Sequence, residues 1–444
     1  MSVSNYSNNV KRQFIQPIFD SANFRSEFRF DGLQGQVILP SLQLINHGSV
    51  GNIAHSYLRN IGVMGLIKSI TLFDGNVKLT GLNQVPQYSS FKKFNRTNNA
   101  SKNIDQYTDL NGLGCDVSGK STKQGTSTDI EKGLQVIQQQ LQNTINTTEA
   151  TTKQGQLNLN EYLSMLRNIP CLPLSVLKNL RLVVDYNSNS AFYSRATNMT
   201  SCNTVQPLLA VDVVTNPELA NSMVQLLLNQ GGVRWNEIEH DQNLHDGSSV
   251  SVPTGVNTSD DKQTHTFHGF DNKRVNKIVV VKEPLEATTW NESTNVNKPY
   301  ANTSSLSFFR EKMQVRVNGS NVLARQGIEG HNEALGYLVD TYGDFVAPTG
   351  TVQSQITNMG DLVTDANSRA ERDVMSDYKN IKGFQGYMGI DLSGVPVNEF
   401  QLDVERPKCN ANCTQQNQNF NIHVFAEVPK AFVVSDGKYN VAYA

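Results

Sequence analysis

Apolar residues in this chain alternate with polar ones far more often than they recur at helical spacing. Between residues 66 and 79, Ile70 and Leu72 alternate with Ser69 and Thr71, Asp74-Gly75 marks a turn, and Val77 and Leu79 alternate on the return. A period of two on both sides of Asp-Gly predicts a β-hairpin, because a type I′ turn needs positive φ at two residues. Met313, Val315 and Val317 lead in the same way to Asn318-Gly319, with Val322-Leu323 returning. Further strand-like runs are 36–39 and 42–45 around Pro40, 180–184, 207–215, 232–235, 275–281, 400–404 and 420–434. Helical spacing is confined to short stretches. These are Tyr162, Met165, Leu166 and Ile169, then 219–228 behind Asn216-Pro217, 333–342, and a segment near 365–375.

The order of these elements repeats. Each half has an opening strand, a tight glycine hairpin, a helix, a long polar loop, a short apolar segment and closing strands. Asp74-Gly75 corresponds to Asn318-Gly319, and the strand at 180–185 to that at 400–405. A repeat of about half the chain describes two similar domains rather than a solenoid. The expected fold is all-β with short helices in loops: two tandem eight-stranded antiparallel jelly rolls. The division read from the pattern is an N-terminal arm at 1–30, a first jelly roll at 31–216, a connecting segment at 217–230 and a second jelly roll at 231–444. Residues 95–157 read as a polar surface insertion, and 241–263 and 347–382 as polar loops. Within the insertion, Thr128 and Glu131 suit a capping box. Ile130, Leu134, Ile137, Leu141 and Ile145 then form a narrow helical stripe, packed on its own domain or at a subunit contact.

Composition narrows the function. The 444 residues carry 38 Lys and Arg against 40 Asp and Glu, which excludes a strongly basic nucleic-acid binder as the reading of the whole chain. The 49 asparagines favour turns and caps over helices. The first hundred residues hold ten Lys and Arg against four Asp and Glu, so a basic amino-terminal face toward DNA or an anionic membrane stands beside ordinary unevenness of charge. Cys115, Cys171, Cys202, Cys409 and Cys413 are odd in number and irregular in spacing, which predicts free thiols. The opening residues carry no apolar run of the secretory kind, and no stretch approaches the length of a membrane span.

Three stretches carry a resemblance. One is Leu66-Ile67-Lys68-Ser69-Ile70-Thr71-Leu72-Phe73-Asp74-Gly75. The second is Leu172-Pro173-Leu174 followed by Leu180-Arg181-Leu182-Val183-Val184. The third is the ending from Phe420 through Val433-Val434-Ser435 to Gly437. In this order, over the whole chain, they resemble the double jelly-roll major capsid proteins of polinton-like viruses, virophages, adenovirus (hexon) and tailless phages. The resemblance implies a structural protein of the virion and no enzyme. Three subunits would form a pseudo-hexameric homotrimeric capsomer in the icosahedral shell of a double-stranded DNA virus. Its partners would be neighbouring capsomers, penton and minor or cement proteins, with an internal membrane or packaged DNA beneath. The competing readings are a trimeric receptor- or glycan-binding spike, which should show a shaft repeat, and a cupin-type enzyme, which should bind metal.

Catalytic signatures are missing. There is no phosphate-binding glycine loop, nucleophile elbow or HExxH, and Gly112-Leu113-Gly114 has no third glycine in place. No catalytic, cofactor-binding or metal residue is assigned. The nearest approach to a metal site is His240, His245, His265 and His268, read as solvated loop histidines; His265-Thr266-Phe267-His268 lacks the His-x-His spacing of a cupin. Cys409 and Cys413 read as two free thiols, and Asp260-Asp261 as a solvated pair. If the 130–145 stripe lies at a subunit contact, replacing Leu134, Ile137 and Leu141 together with Ser should weaken self-association more than folding. Each lost contact should cost roughly 1–3 kcal/mol. Sedimentation alongside a thermal melt separates the two: a variant that stays associated but loses its cooperative melt assigns the stripe to its own domain.

Overall fold

A computed structural model describes residues 9–21, 25–45, 67–95, 156–186, 207–246, 261–284, 312–323, 327–342, 387–406, 420–435 and 438–444. In the first half the strands are β1 (Val10–Ile15), β2 (Phe19–Ser21), β3 (Arg25–Arg29), β4 (Val37–Ile38), β5 (Gln43–Ile45), β6 (Ile67–Asp74) and β7 (Val77–Asn83). After helix α1 (Val85–Asn95) come β8 (Gln156–Asn158), α2 (Ser164–Asn168), β9 (Leu172–Pro173), β10 (Leu180–Tyr186) and β11 (Leu208–Val214). Helix α3 (Pro217–Asn229) leads to the second half. There β12 (Val233–His245), β13 (Asp261–Phe267), β14 (Lys273–Pro284), β15 (Lys312–Val317), β16 (Ser320–Asn321) and β17 (Ile328–Glu329) precede α4 (Gly330–Tyr342). The chain closes with β18 (Tyr387–Val397), β19 (Phe400–Arg406), β20 (Phe420–Ser435) and β21 (Lys438–Tyr443).

The two halves pair their strands alike. In the second, one sheet runs β12-β20-β14-β18 and the other β13-β19-β15-β16. In the first, β1 pairs β11, which pairs both β4 and β5, and these pair β9 and β8; the facing sheet runs β2-β3-β10-β6-β7. Pieces β4 and β5 flank Pro40, which cannot donate to a ladder, so one strand position is split in two. Counting split pieces once and setting aside the added edge strands β2 (on β3) and β21 (on β20), both halves place strands in the orders first-eighth-third-sixth and second-seventh-fourth-fifth. That order is the jelly roll expected from the sequence.

Three sequence readings need correction. Residues 10–29 are no arm. β1 takes an antiparallel register from Val10 opposite Val214 to Ile15 opposite Leu209, and β3 pairs β10 with Phe28 fully buried. Alternation in so short and polar a run was masked by its charged outward residues. The polar loop at 241–263 is shorter than its composition suggests, since β12 continues to His245 and β13 starts at Asp261. A continuous ladder to β20, from Val233 opposite Phe432 to His245 opposite Phe420, holds these polar residues in a strand. The first hairpin turns one residue later than read. Asp74 pairs Val77, and of the two loop residues Gly75 alone has positive φ (55°), which fits a type II′ turn. Asn318 and Gly319 both have positive φ (52° and 76°), as a type I′ turn requires. The 130–145 stripe and the 365–375 helix lie outside the described residues.

Strand polarity sorts the connections. Six short ones sit at one end: 30–36, 75–76 and 174–179 in the first half, 268–272, 318–319 and 398–399 in the second. The long ones leave and return at the opposite end, as the pairing of His245 with Phe420, and of Phe420 with Pro284, shows for β12, β20 and β14. In the β12-β20-β14-β18 sheet the central strands β20 and β14 are buried on both faces over much of their length. Ile278, Val280, Ile422, Val424 and Ala426 enter the core of the second half, while Val279, Val281 and Phe425 join the core that fills the first. A strand buried on both sides reads as a continuous apolar run, which explains Ile278-Val279-Val280-Val281.

Gly232 opens this sheet with φ at 114°, and a Cβ there would stand 2.1 Å from the Phe432 carbonyl oxygen. Gly232→Ala should therefore destabilise the protein by about 2–3 kcal/mol. Urea unfolding should show the loss as a lower midpoint with unchanged slope.

Candidate functional site

The described residues with unusual environments gather where the two halves meet. From the second half, Glu237 of β12 is fully buried. Its carboxylate accepts from the Gly81 N–H (2.7 Å) and the Thr80 hydroxyl (2.8 Å), both on β7 of the first half, and from the Trp235 indole N–H (2.8 Å). Lys78 Nζ stands 3.8 Å away. Burial raises the carboxyl's pKa, while Lys430, Lys78 and the hydrogen bonds pull it back. The same burial lowers the Lys430 ammonium, and Glu237 and Glu239 support it. Residue 81 is glycine where β7 crowds its own neighbour β6: a Cβ there would lie 3.0 Å from the Ile70 carbonyl oxygen.

Aromatic rings fill the rest of the seam. Tyr88 of α1 lies 5.2 Å from Phe425 of β20, and Phe91 of α1 meets Tyr342 of α4 edge-on at 5.1 Å. Burial, then Glu427, pushes the Tyr342 phenol well up. The carboxy-terminal strand crosses the seam as well. Tyr439 of β21 donates to Asp74 Oδ2 at 2.6 Å, and Asp74 Oδ1 accepts from the Asn179 N–H at 2.7 Å. Tyr443 donates to Glu239 at 2.9 Å with the ammonium groups of Lys273 and Lys430 each 5.0 Å from its ring centre.

The four histidines do not come together. His240 Nε2 is 3.1 Å from His423 Nδ1 of β20, in the seam. His245 Nδ1 is 3.1 Å from His265 Nε2, inside the second sandwich, where His245 stacks on Phe420. His268 is exposed beside Asp271. The solvated-loop reading is therefore corrected for His240, His245 and His265, which the β12 and β13 ladders carry inward. Among the described residues no three His, Cys, Asp or Glu side chains group as metal ligands. Cys171 is a buried thiol whose pKa burial pushes up to about 11, so it is a poor nucleophile. Cys409, Cys413, Asp260, Gly112 and Gly114 lie outside the described residues. Sequence reasoning did not single out Glu237. The signal was there: Trp235 and Glu237 are two apart on a strand, so both point to one face.

No protein-family model and no curated protein matches the chain. Solved structures do. The major capsid protein of mavirus superposes at a TM-score of 0.53 with 11% identity, covering 97% of this chain and 90% of that one. The PBCV-1 virus capsid gives 0.49 at 13% identity, covering 98% of this chain and 97% of its own. The Sputnik virophage structure gives 0.48 at 10% identity, covering 98% and 88%. The mavirus superposition runs through both halves, and strand order and superposition agree. The fold is a double jelly roll.

In this double jelly roll the seam is a core in its own right, with one buried carboxylate tying the halves at its centre. Glu237→Ala would leave two N–H groups and a hydroxyl without their acceptor and Lys78 without its counter-charge, while Lys430 keeps Glu239. It should cost about 3–5 kcal/mol. Tyr439→Phe removes one partly exposed bond and should cost about 1 kcal/mol. Urea midpoints of the two variants check the ranking, and equal losses would contradict it.

Proposed function

We propose that this chain is a major capsid protein, which builds the icosahedral shell of a double-stranded DNA virus as a pseudo-hexameric homotrimer. The likeness to the mavirus major capsid protein through both jelly rolls carries this reading. Physical features agree with it. Two sandwiches locked by a shared core make one rigid block, and three such blocks around an axis present six sandwiches, which suits a hexagonal lattice. The two buried histidine pairs and the Glu237 carboxylate make contacts that join strands, as a scaffold needs.

In this reading the chain divides into a jelly roll before α3 and another after it, with the capsomer as its first partner and neighbouring capsomers, penton and minor proteins as the next. Strand β1 begins beside Val214, at the end with the short turns. In this reading that end faces packaged DNA or an anionic membrane, toward which the excess of Lys and Arg in the first hundred residues would act, and the end with the long connections faces outward.

The purified protein should be a trimer of about three times 49.2 kDa. Obligate interfaces of this kind bury well over about 2,000 Å². Light scattering gives the mass, and negative-stain images should show pseudo-hexagonal particles. A monomer at micromolar concentration would overturn the proposal.

A further inference from the structure

The His240–His423 pair occupies an unusual place. It is stacked, with ring centres 5.3 Å apart, and His240 lies 4.8 Å from the ring of Phe425, the residue that meets Tyr88 of α1. His423 is 1% exposed, whereas His240 keeps an edge toward solvent. At 3.1 Å one nitrogen donates and the other accepts, an arrangement that suits two neutral rings. A second proton would set two imidazolium ions against each other in an apolar seam.

We propose that the His240–His423 pair makes the seam between the two jelly rolls acid-sensitive, holding the halves closed while both rings are neutral and letting them part on acidification. The seam yields before either sandwich because the pair lies on the outer face of the β12-β20-β14-β18 sheet. Water can reach it when α1 moves off Phe425, with both sandwich ladders intact. The inference concerns the subunit alone and stands whether or not the chain builds a capsid.

The surrounding charges set the window. On the same sheet face stand Glu427 of β20 and Lys277 of β14, one opposite the other, with Asp391 of β18 opposite Lys277. Arg167 of α2 acts on Glu427, and Tyr88 of α1 and Tyr342 of α4 complete the titratable groups among the described residues; Lys92 of α1 is turned to the Tyr162 ring and the Glu161 carbonyl. Burial first, then His423, holds His240 below the ordinary imidazole value, at about 3. A folded-state pKa below the open-state value gives stability that is full above about pH 6.5 and falls as protons bind the open form. Glu427 and Glu237 are raised by burial, so their protonation opposes opening at lower pH. The loss therefore begins near pH 6.5, is opposed by the glutamates at lower pH, and is followed between pH 7 and pH 5. Because His240 keeps a solvent edge, we expect the open form to gain about tenfold over that interval.

Trp235 sits in the seam, and Trp290 is the only other tryptophan. In a Trp290→Phe background, emission then reports the seam, with circular dichroism following the sheets. Emission should shift to the red between pH 7 and pH 5 while the sheet signal holds. His240→Phe, which stays neutral and still stacks on Phe425, should abolish the shift; His240→Gln should do the same if the phenylalanine variant does not fold. An unchanged shift in a folded variant, or no shift in the parent, overturns the proposal.

Discussion

The structure depends on one sheet whose central strands are buried on both faces. The β12-β20-β14-β18 sheet closes the second sandwich with one side and carries the first half on the other. A sandwich needs only its inner face dry, and the outer side of an antiparallel sheet normally meets water. Here Val279, Val281 and Phe425 put apolar area on the outer side, and α1, α2 and β7 must cover it. The two jelly rolls are therefore not beads on a string. Separating them would expose a core, which is why the linking helix α3 needs no stiffness of its own.

Covering a sheet face with another domain creates a second demand. Backbone and side-chain donors caught in the seam lose water, and each must find a partner. One carboxylate meets three of them. Glu237 serves the Thr80 hydroxyl, the Gly81 amide and the Trp235 indole at once, with lysines on either side. A buried charge is a poor way to add stability, since desolvation offsets most of the attraction. Its worth here is alignment: the three donors converge in only one placement of β7 against β12. Asp74, held by Asn179 and Tyr439, repeats the device at the short-turn end.

The hairpins, the two-fold plan and most strands were legible in the sequence because their signals are local. Asn318-Gly319 specifies a type I′ turn without help, and Asn216 caps α3 through Glu218 and Leu219 as its position before Pro217 suggests. What escaped depends on partners distant in the chain. β1 is half polar and has no fully buried residue, and only its ladder with β11, some two hundred residues on, makes it a strand. The histidines of β12 and β13 look solvated in a polar stretch, and the ladders to β20 and β19 turn them inward. Glu237 carries no motif at all. Its role exists only once β7 is beside it, so composition and spacing cannot reveal it.

The sorting of connections by length follows from the same topology. Successive strands of a jelly roll run in opposite directions, so connections fall alternately at the two ends. At the short-turn end a change of one residue shifts register and moves every side chain to the wrong face. At the other end the constraint is weak. Closing a connection ten times longer costs only about 2 kcal/mol more, since the entropy grows with the logarithm of length. The fold can therefore carry the segment between α1 and β8, residues 96–155, without loosening either core. Polar, asparagine-rich sequence collects where length is cheap, and the tight glycine and asparagine turns collect where register is decided. A double jelly roll thus keeps its shape at one end and stays free to vary at the other.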